Sequence, residues 1–246
     1  MFDTLDLAAL AGVFLLGGTV KGVVGFGLPV VSLALLTVAF GLPQAMALML
    51  VPAFVTNVWQ AASGGNGALL LRRLWPFLLL AAATVWIGAL ALSRVNLAWL
   101  SSLLGLLLVV YASVSLAGLR FTVTARQEPW AGPLIGAVNG VLSGMTGAYV
   151  VPGALYLQAL GLQRDQLVQA MGMLFLISTL ALAAALGGNG FLNAELGATS
   201  LAAVVPALAG MALGQRIRQK LSEQLFRRVF FVALFLLGAY IILRAL

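Results

Sequence analysis

The chain has 246 residues, 63% of them hydrophobic and 8% charged, and its mean hydropathy is +1.12. Soluble domains are about 45–50% apolar and about 25% charged, so a cytosolic enzyme, a secreted domain and a disordered regulator are all excluded. Cys and His are absent, which removes disulfide frameworks, thiolate nucleophiles, haem, iron–sulfur clusters and the usual zinc sites.

Thirteen Lys and Arg stand against six Asp and Glu, a net charge of +7. A pI near 10.9 would suit nucleic acid, but these charges lie between apolar runs, where they set membrane topology. No nucleic-acid partner, metal or cofactor is expected, and no catalytic residue. The partners expected are a small anionic substrate and the lipid bilayer.

Asp3 and Asp6 open the chain with no Lys or Arg before the first apolar run. A cleaved signal peptide carries a positive start, so 7–24 reads as mature protein. Further apolar stretches follow at 28–40, 44–62, 74–92, 96–119, 130–146, 149–160, 166–187, 195–214 and 225–243. The one polar linker, Arg120 to Pro129, divides them five and five within a single transmembrane domain spanning 1–246.

The halves, about 1–120 and 129–246, read as repeats. Ala61-Ala-Ser-Gly-Gly-Asn-Gly67 recurs as Ala184-Ala-Leu-Gly-Gly-Asn-Gly190 at an offset of 123. Gly27, Gly41 and Leu42 return as Gly147, Gly161 and Leu162 at an offset of 120. Five spans is an odd number, so the second half should lie inverted relative to the first. The charges agree: Arg72 and Arg73 follow the first Gly-Gly-Asn-Gly, while Arg216, Arg218, Lys220, Arg227 and Arg228 gather between the last two stretches. Positive-inside reasoning places 63–73, 120–128 and 215–228 in the cytoplasm and both termini outside the inner (cell) membrane. The fold class expected is an all-α polytopic membrane protein of two inverted repeats, about five helical segments each, with broken or re-entrant helices meeting near the midplane.

One stretch in each half is interrupted. Lys21-Gly-Val-Val-Gly-Phe-Gly-Leu-Pro29 leads into a short run ending at Gly41, and the segment from Asn139 to Pro152 leads into another ending at Gly161. Glycines weaken helix, and Pro29 and Pro152 suit the first turn of a new one. Irregular backbone at membrane depth is tolerated only inside protein or beside a wet cavity. Half-helices starting there would aim unmet N–H groups at a shared space, an anion site by construction. Lys21, a cation some fourteen residues into the first run, costs about 2.5–3.5 kcal/mol inside a bilayer, which an anionic ligand offsets; snorkelling to the interface is the competing reading.

The substrate-binding candidates are Lys21, Gly25, Phe26, Gly27, Asn57, Gln60, Asn139, Ser143, Gly144, Thr146, Gly147 and Tyr149, with Thr19, Ser178 and Thr179 at a similar level. The polar ones could equally be interhelical glue, and Gly18-x-x-x-Gly22 and Gly136-x-x-x-Gly140-x-x-x-Gly144 are close-packing faces first. Pro52 and Pro206 read as structural kinks, and Trp59 and Trp75 as interfacial belt residues. No Asp or Glu falls well inside an apolar stretch, with Asp165 and Glu195 at predicted ends. The usual carboxylate proton relay is therefore missing, and export of an anion needs none.

Gly18-Thr-Val-Lys-Gly-Val-Val-Gly-Phe-Gly-Leu-Pro29, Gly41-Leu-Pro-Gln-Ala45 and Asn57-Val-Trp-Gln60 resemble the sulfite exporter TauE/SafE family, and Gly140-Val-Leu-Ser-Gly-Met-Thr-Gly147 with Tyr156-Leu-Gln-Ala-Leu-Gly-Leu-Gln-Arg164 resembles its second repeat. The breaks, Gly-Phe-Gly-Leu-Pro and Thr-Gly-Ala-Tyr, mark a variant branch. The resemblance implies a transporter of sulfite, sulfonates such as sulfoacetate, or related organosulfur anions, working by alternating access. An anion channel of the same architecture, or a transporter of another small carboxylate or oxyanion, remains open. A Ser143/Lys21 hydrolase pair has no His or buried carboxylate behind it.

Overall fold

The computed structural model describes residues 2–119, 121–218 and 222–245. Arg120 and Lys220, read above as part of the linker and of a cytoplasmic basic cluster, lie outside the described residues. Among the described residues the chain is helical throughout, with no strand.

Helix α1 (Thr4–Val24) starts at a reciprocal cap: the Asp6 amide donates to Asp3 Oδ1 at 2.7 Å and the Asp3 amide to Asp6 Oδ2 at 3.2 Å. It stops at Gly25, whose φ of 90° only glycine adopts cheaply. Then come α2 (Leu28–Phe40), α3 (Leu42–Ala62), a bent span of α4 (Gly67–Ala83), α5 (Val85–Ala89) and α6 (Ala91–Arg94), and α7 (Leu97–Leu116). The second half repeats the series: α8 (Glu128–Thr146), short α9 (Gly153–Ala159), α10 (Arg164–Gly188), the pair α11 (Ala194–Ala202) and α12 (Val204–Arg218), and α13 (Glu223–Ala245). The ten apolar stretches thus correspond to ten helical segments.

Among the described residues, seven helices are long and apolar enough to cross a membrane, counting 67–94 and 194–218 as one each. Their outward side chains include Trp59, Trp99 and Leu243, 65%, 70% and 75% exposed, a surface suited to lipid. One boundary needs correction. The fourth segment begins at Gly67 rather than 74, because Arg72 and Arg73 occupy its first two turns instead of a loop. Arg73 is held there by Glu128 of α8 in a two-pronged ion pair of 2.7 and 2.8 Å.

Contacts divide the chain into two units, and each draws on both halves of the sequence. One unit holds the chain up to Ala53, Asn96–Gly118 and the chain from Gly190; the other holds Phe54–Val95 and Leu119–Asn189. In the first unit α1 runs parallel to α12. A Cβ at Gly22 would lie 2.9 Å from both Gln215 N and Gly214 Cα, while one at Gly210 would meet Leu15 and Thr19. Helices without a water-driven attraction associate through such close backbone approach. In the same unit α7 and α13 are antiparallel, with Gly105 facing Ile242 and Val109 facing Gly238.

The second unit repeats the parallel pairing with α8 against α4 and α5. Gly136 meets Phe77, Gly140 meets Ala81 and Thr84, and Gly144 meets Val85 and Ala89. Both glycine faces read from the sequence are therefore packing faces. Thr84 Oγ1 adds a bond to the Ala137 carbonyl at 2.8 Å.

The kink at Pro52 in α3 is repaired from outside. Proline has no N–H for the carbonyl four residues back, and Ser200 of α11 supplies the missing donor to Leu48 O at 2.7 Å. The same hydroxyl accepts from the Val51 amide at 3.1 Å. Pro206 instead lies in the first turn of α12, where no lost bond has to be replaced.

Candidate functional site

The second unit's break is built from one face of α8. Asn139, Ser143 and Thr146 follow one another at helical spacing and are fully buried. Gly147, with φ of 74°, ends the helix, and 148–152 run on without helix before α9. Non-helical backbone here must find partners, and the α8 side chains provide them. Ser143 Oγ donates to Ala148 O at 3.1 Å, the Ala148 amide to Thr146 Oγ1 at 3.2 Å, and the Gly153 amide to Asn139 Oδ1 at 2.8 Å. Asn139 Nδ2 reaches Ser143 Oγ at 3.4 Å. Three residues expected to meet substrate are thus the braces of the break.

The open amide end expected at Pro152 is not found. Asn139 takes the Gly153 amide, and the Ala154 and Tyr156 amides bond to the Val150 and Pro152 carbonyls at 2.8 and 2.9 Å. Gly144 sits against α5 and serves packing. Tyr149 is buried with its ring tilted against Phe175, centroids 6.2 Å apart. Its hydroxyl lies near Thr179, whose Oγ1 donates to Phe175 O at 2.6 Å. The Ser178 hydroxyl is a buried polar atom with no hydrogen-bond partner, which is uncommon.

Asn57 and Gln60 are buried on the second-unit part of α3. The Gln60 amide donates to Val168 O at 2.7 Å, and Gln169 of α10 answers by donating to Ala61 O at 2.8 Å and accepting from Asn66 N at 2.9 Å. Gly172 permits this crossing, since a Cβ there would lie 2.6 Å from Ala61 N.

The first unit holds Lys21, Gly25, Phe26 and Gly27. Lys21 is 4% exposed in the last turn of α1, and its carbonyl accepts the Gly25 amide at 2.8 Å. Pro29 occupies the first turn of α2, where a missing N–H costs nothing. Thr19 is occupied with the Leu15 carbonyl at 2.8 Å. Ser32, overlooked in the sequence, is fully buried one turn into α2, and its hydroxyl has no partner. The signal was a hydroxyl three residues after Pro29, in a helix whose one other polar side chain is Thr37.

Membrane-length apolar helices, with α1 and α8 each ending in a break inside apolar sequence, define the class: a multi-pass helical membrane protein built around interrupted helices. The Sulfite exporter TauE/SafE family model matches residues 10–241, and the chain belongs to that family. It is therefore a membrane transporter of small sulfur-containing anions and not an enzyme. No curated protein and no solved structure matches the chain.

Proposed function

We propose that this protein exports sulfite and sulfonates such as sulfoacetate across the inner membrane by alternating access, with its two interrupted segments handling the anion. The observation that carries this reading is the buried Lys21 one turn before a helix break inside an apolar span. A buried cation there attracts an oxyanion and is stabilised by it. Gly25, Phe26 and Gly27 shape the first break. At the second, Asn139, Ser143, Thr146, Gly144 and Gly147 set the backbone, and Tyr149 with Ser178 offers hydroxyls. Asn57 and Gln60 add polar side chains in that unit.

The inverted-repeat reading, with repeats at about 1–120 and 129–246 of one transport domain, is supported by α7 and α13. They are the fifth segments of the two halves and run antiparallel. Arg72 and Arg73 at the start of α4, Arg216 and Arg218 at the end of α12 and Arg227 and Arg228 at the start of α13 favour a cytoplasmic side for those helix ends and an outer side for both termini. An inside-negative potential then drives anion export by about 2.3 kcal/mol per charge per 100 mV, with no coupling ion.

The test is sulfite and sulfoacetate flux from vesicles containing the purified protein. Lys21→Gln removes a charge-assisted contact of about 1.5–3 kcal/mol, so flux should fall about tenfold or more. Unchanged flux would remove Lys21 from the site, and wild-type flux indifferent to an imposed potential would overturn driven export.

A further inference from the structure

In the first unit, a cavity of about 570 Å³ opens where α2 ends, α3 and α7 begin and α13 ends. Thr37, Gly41, Gln44, Ala98, Ser101 and Arg244 are among the residues lining it, and among the described residues Arg244 is the one charged residue of that lining. Two helix starts and two helix ends border the space. Their dipoles, about half a charge each with opposite sign, offset one another, so the guanidinium decides the potential inside.

Arg244 is also oriented. It donates to the Val38 carbonyl in the last turn of α2. A guanidinium carries five N–H donors in a planar fork, so one bond fixes the head and leaves the remainder for a second acceptor. Beside it Thr37, 8% exposed, carries a buried hydroxyl without a partner. At the corresponding end of α9 in the second unit, the Ala159 carbonyl accepts the Val123 amide at 2.9 Å.

We propose that the Arg244 cavity is a second anion site, taking a small oxyanion apart from the interrupted segments. The ligand chemistry is an oxyanion held by a guanidinium fork, supplied by a free sulfur oxyanion or by a phospholipid phosphate. Its place in transport rests on the proposed export: with the termini outside, the cavity receives the anion on its way out.

The chain has no cysteine, so Ser101→Cys gives a single thiol lining the cavity. The full-length S101C protein in nanodiscs of digalactosyldiacylglycerol, a lipid without phosphate, is modified with a negatively charged or a positively charged methanethiosulfonate of similar size. The anionic reagent should react about tenfold faster, R244Q should erase that preference, and R244K should keep it. Methanesulfonate and sulfate should slow modification of S101C but not of S101C/R244Q. Protection by added phosphatidylglycerol rather than by the free ions assigns the site to lipid phosphate, and the reverse assigns it to free anion. The absence of a charge preference, or a preference that survives R244Q, overturns the proposal. Sulfite flux is read separately: Arg244-dependent protection without flux leaves the anion site standing and removes the transport reading, and flux without protection does the opposite.

Discussion

Replacing Asn139 by Ala tests the construction of the second break. The substitution removes the acceptor of the Gly153 amide at 2.8 Å and the donor to Ser143 at a long 3.4 Å. The first loss dominates, because it strands a buried N–H, costing about 1–3 kcal/mol. Polar contacts within membranes reach about 1.7 kcal/mol in double-mutant cycles, so about 1–2 kcal/mol is expected. At about 2–4 °C per kcal/mol for a chain of this size, Tm in detergent should drop by about 2–8 °C. Gly153 gives an internal check. A Cβ there would lie 2.6 Å from Asn139 Oδ1 and 2.8 Å from Leu174 Cδ2, so Gly153→Ala collides with the group that N139A deletes. The double variant should be less damaged than the two penalties summed, by about 0.5–1 kcal/mol. Tryptophan fluorescence during thermal unfolding reads all four corners of the cycle, and vesicle flux should fall with N139A. Additive penalties, or an N139A variant with unchanged Tm, would refute the brace.

Two further outcomes follow from the packing. Ser200→Ala should cost about 1–2 kcal/mol while Pro52 is present, by stranding the Leu48 carbonyl, and close to nothing beside Pro52→Ala, which restores an N–H to α3; equal costs in both backgrounds would separate Ser200 from the kink. Gly22→Val drives a side chain into the α12 backbone and exceeds the usual overpacking cost of about 1–3 kcal/mol. Gel filtration should show loss of the folded peak, whereas Gly12→Val, with nothing within 4 Å of its Cβ position, should elute unchanged.

The ten segments and both breaks were legible because membrane length, glycine and proline act locally. The glycine faces were legible for the same reason, since small residues at four-residue spacing mean close approach whatever the partner. The partners were not. Nothing in 18–22 announces α12, and nothing in 136–144 announces α4 and α5, because each pairing joins opposite halves of the sequence. The start of α4 was misplaced since two arginines lower hydropathy without lowering helix propensity. Asn139, Ser143 and Thr146 stood out in the sequence as polar residues in an apolar run; that they bond the broken backbone at 2.8–3.2 Å through Ala148 and Gly153 was not legible, because the same donors and acceptors suit a ligand. Ser200 was missed because its partner, the Leu48 carbonyl, is orphaned by a proline about 150 residues earlier.

The exchange of helices between halves has a consequence for biogenesis. Gly18 and Gly22 find their backbone partners only at 207–215, about 190 residues later in the chain. At about 5–20 residues per second of synthesis, α1 sits in the bilayer for about 10–40 s with its glycine groove turned to lipid. The second unit, whose parts all lie within 54–189, can close during that interval, and the first unit cannot. The order of assembly is therefore written into the topology: a ribosome stalled before α12 leaves one finished unit and one nascent helix with an open groove, the natural substrate for membrane chaperones and quality-control proteases.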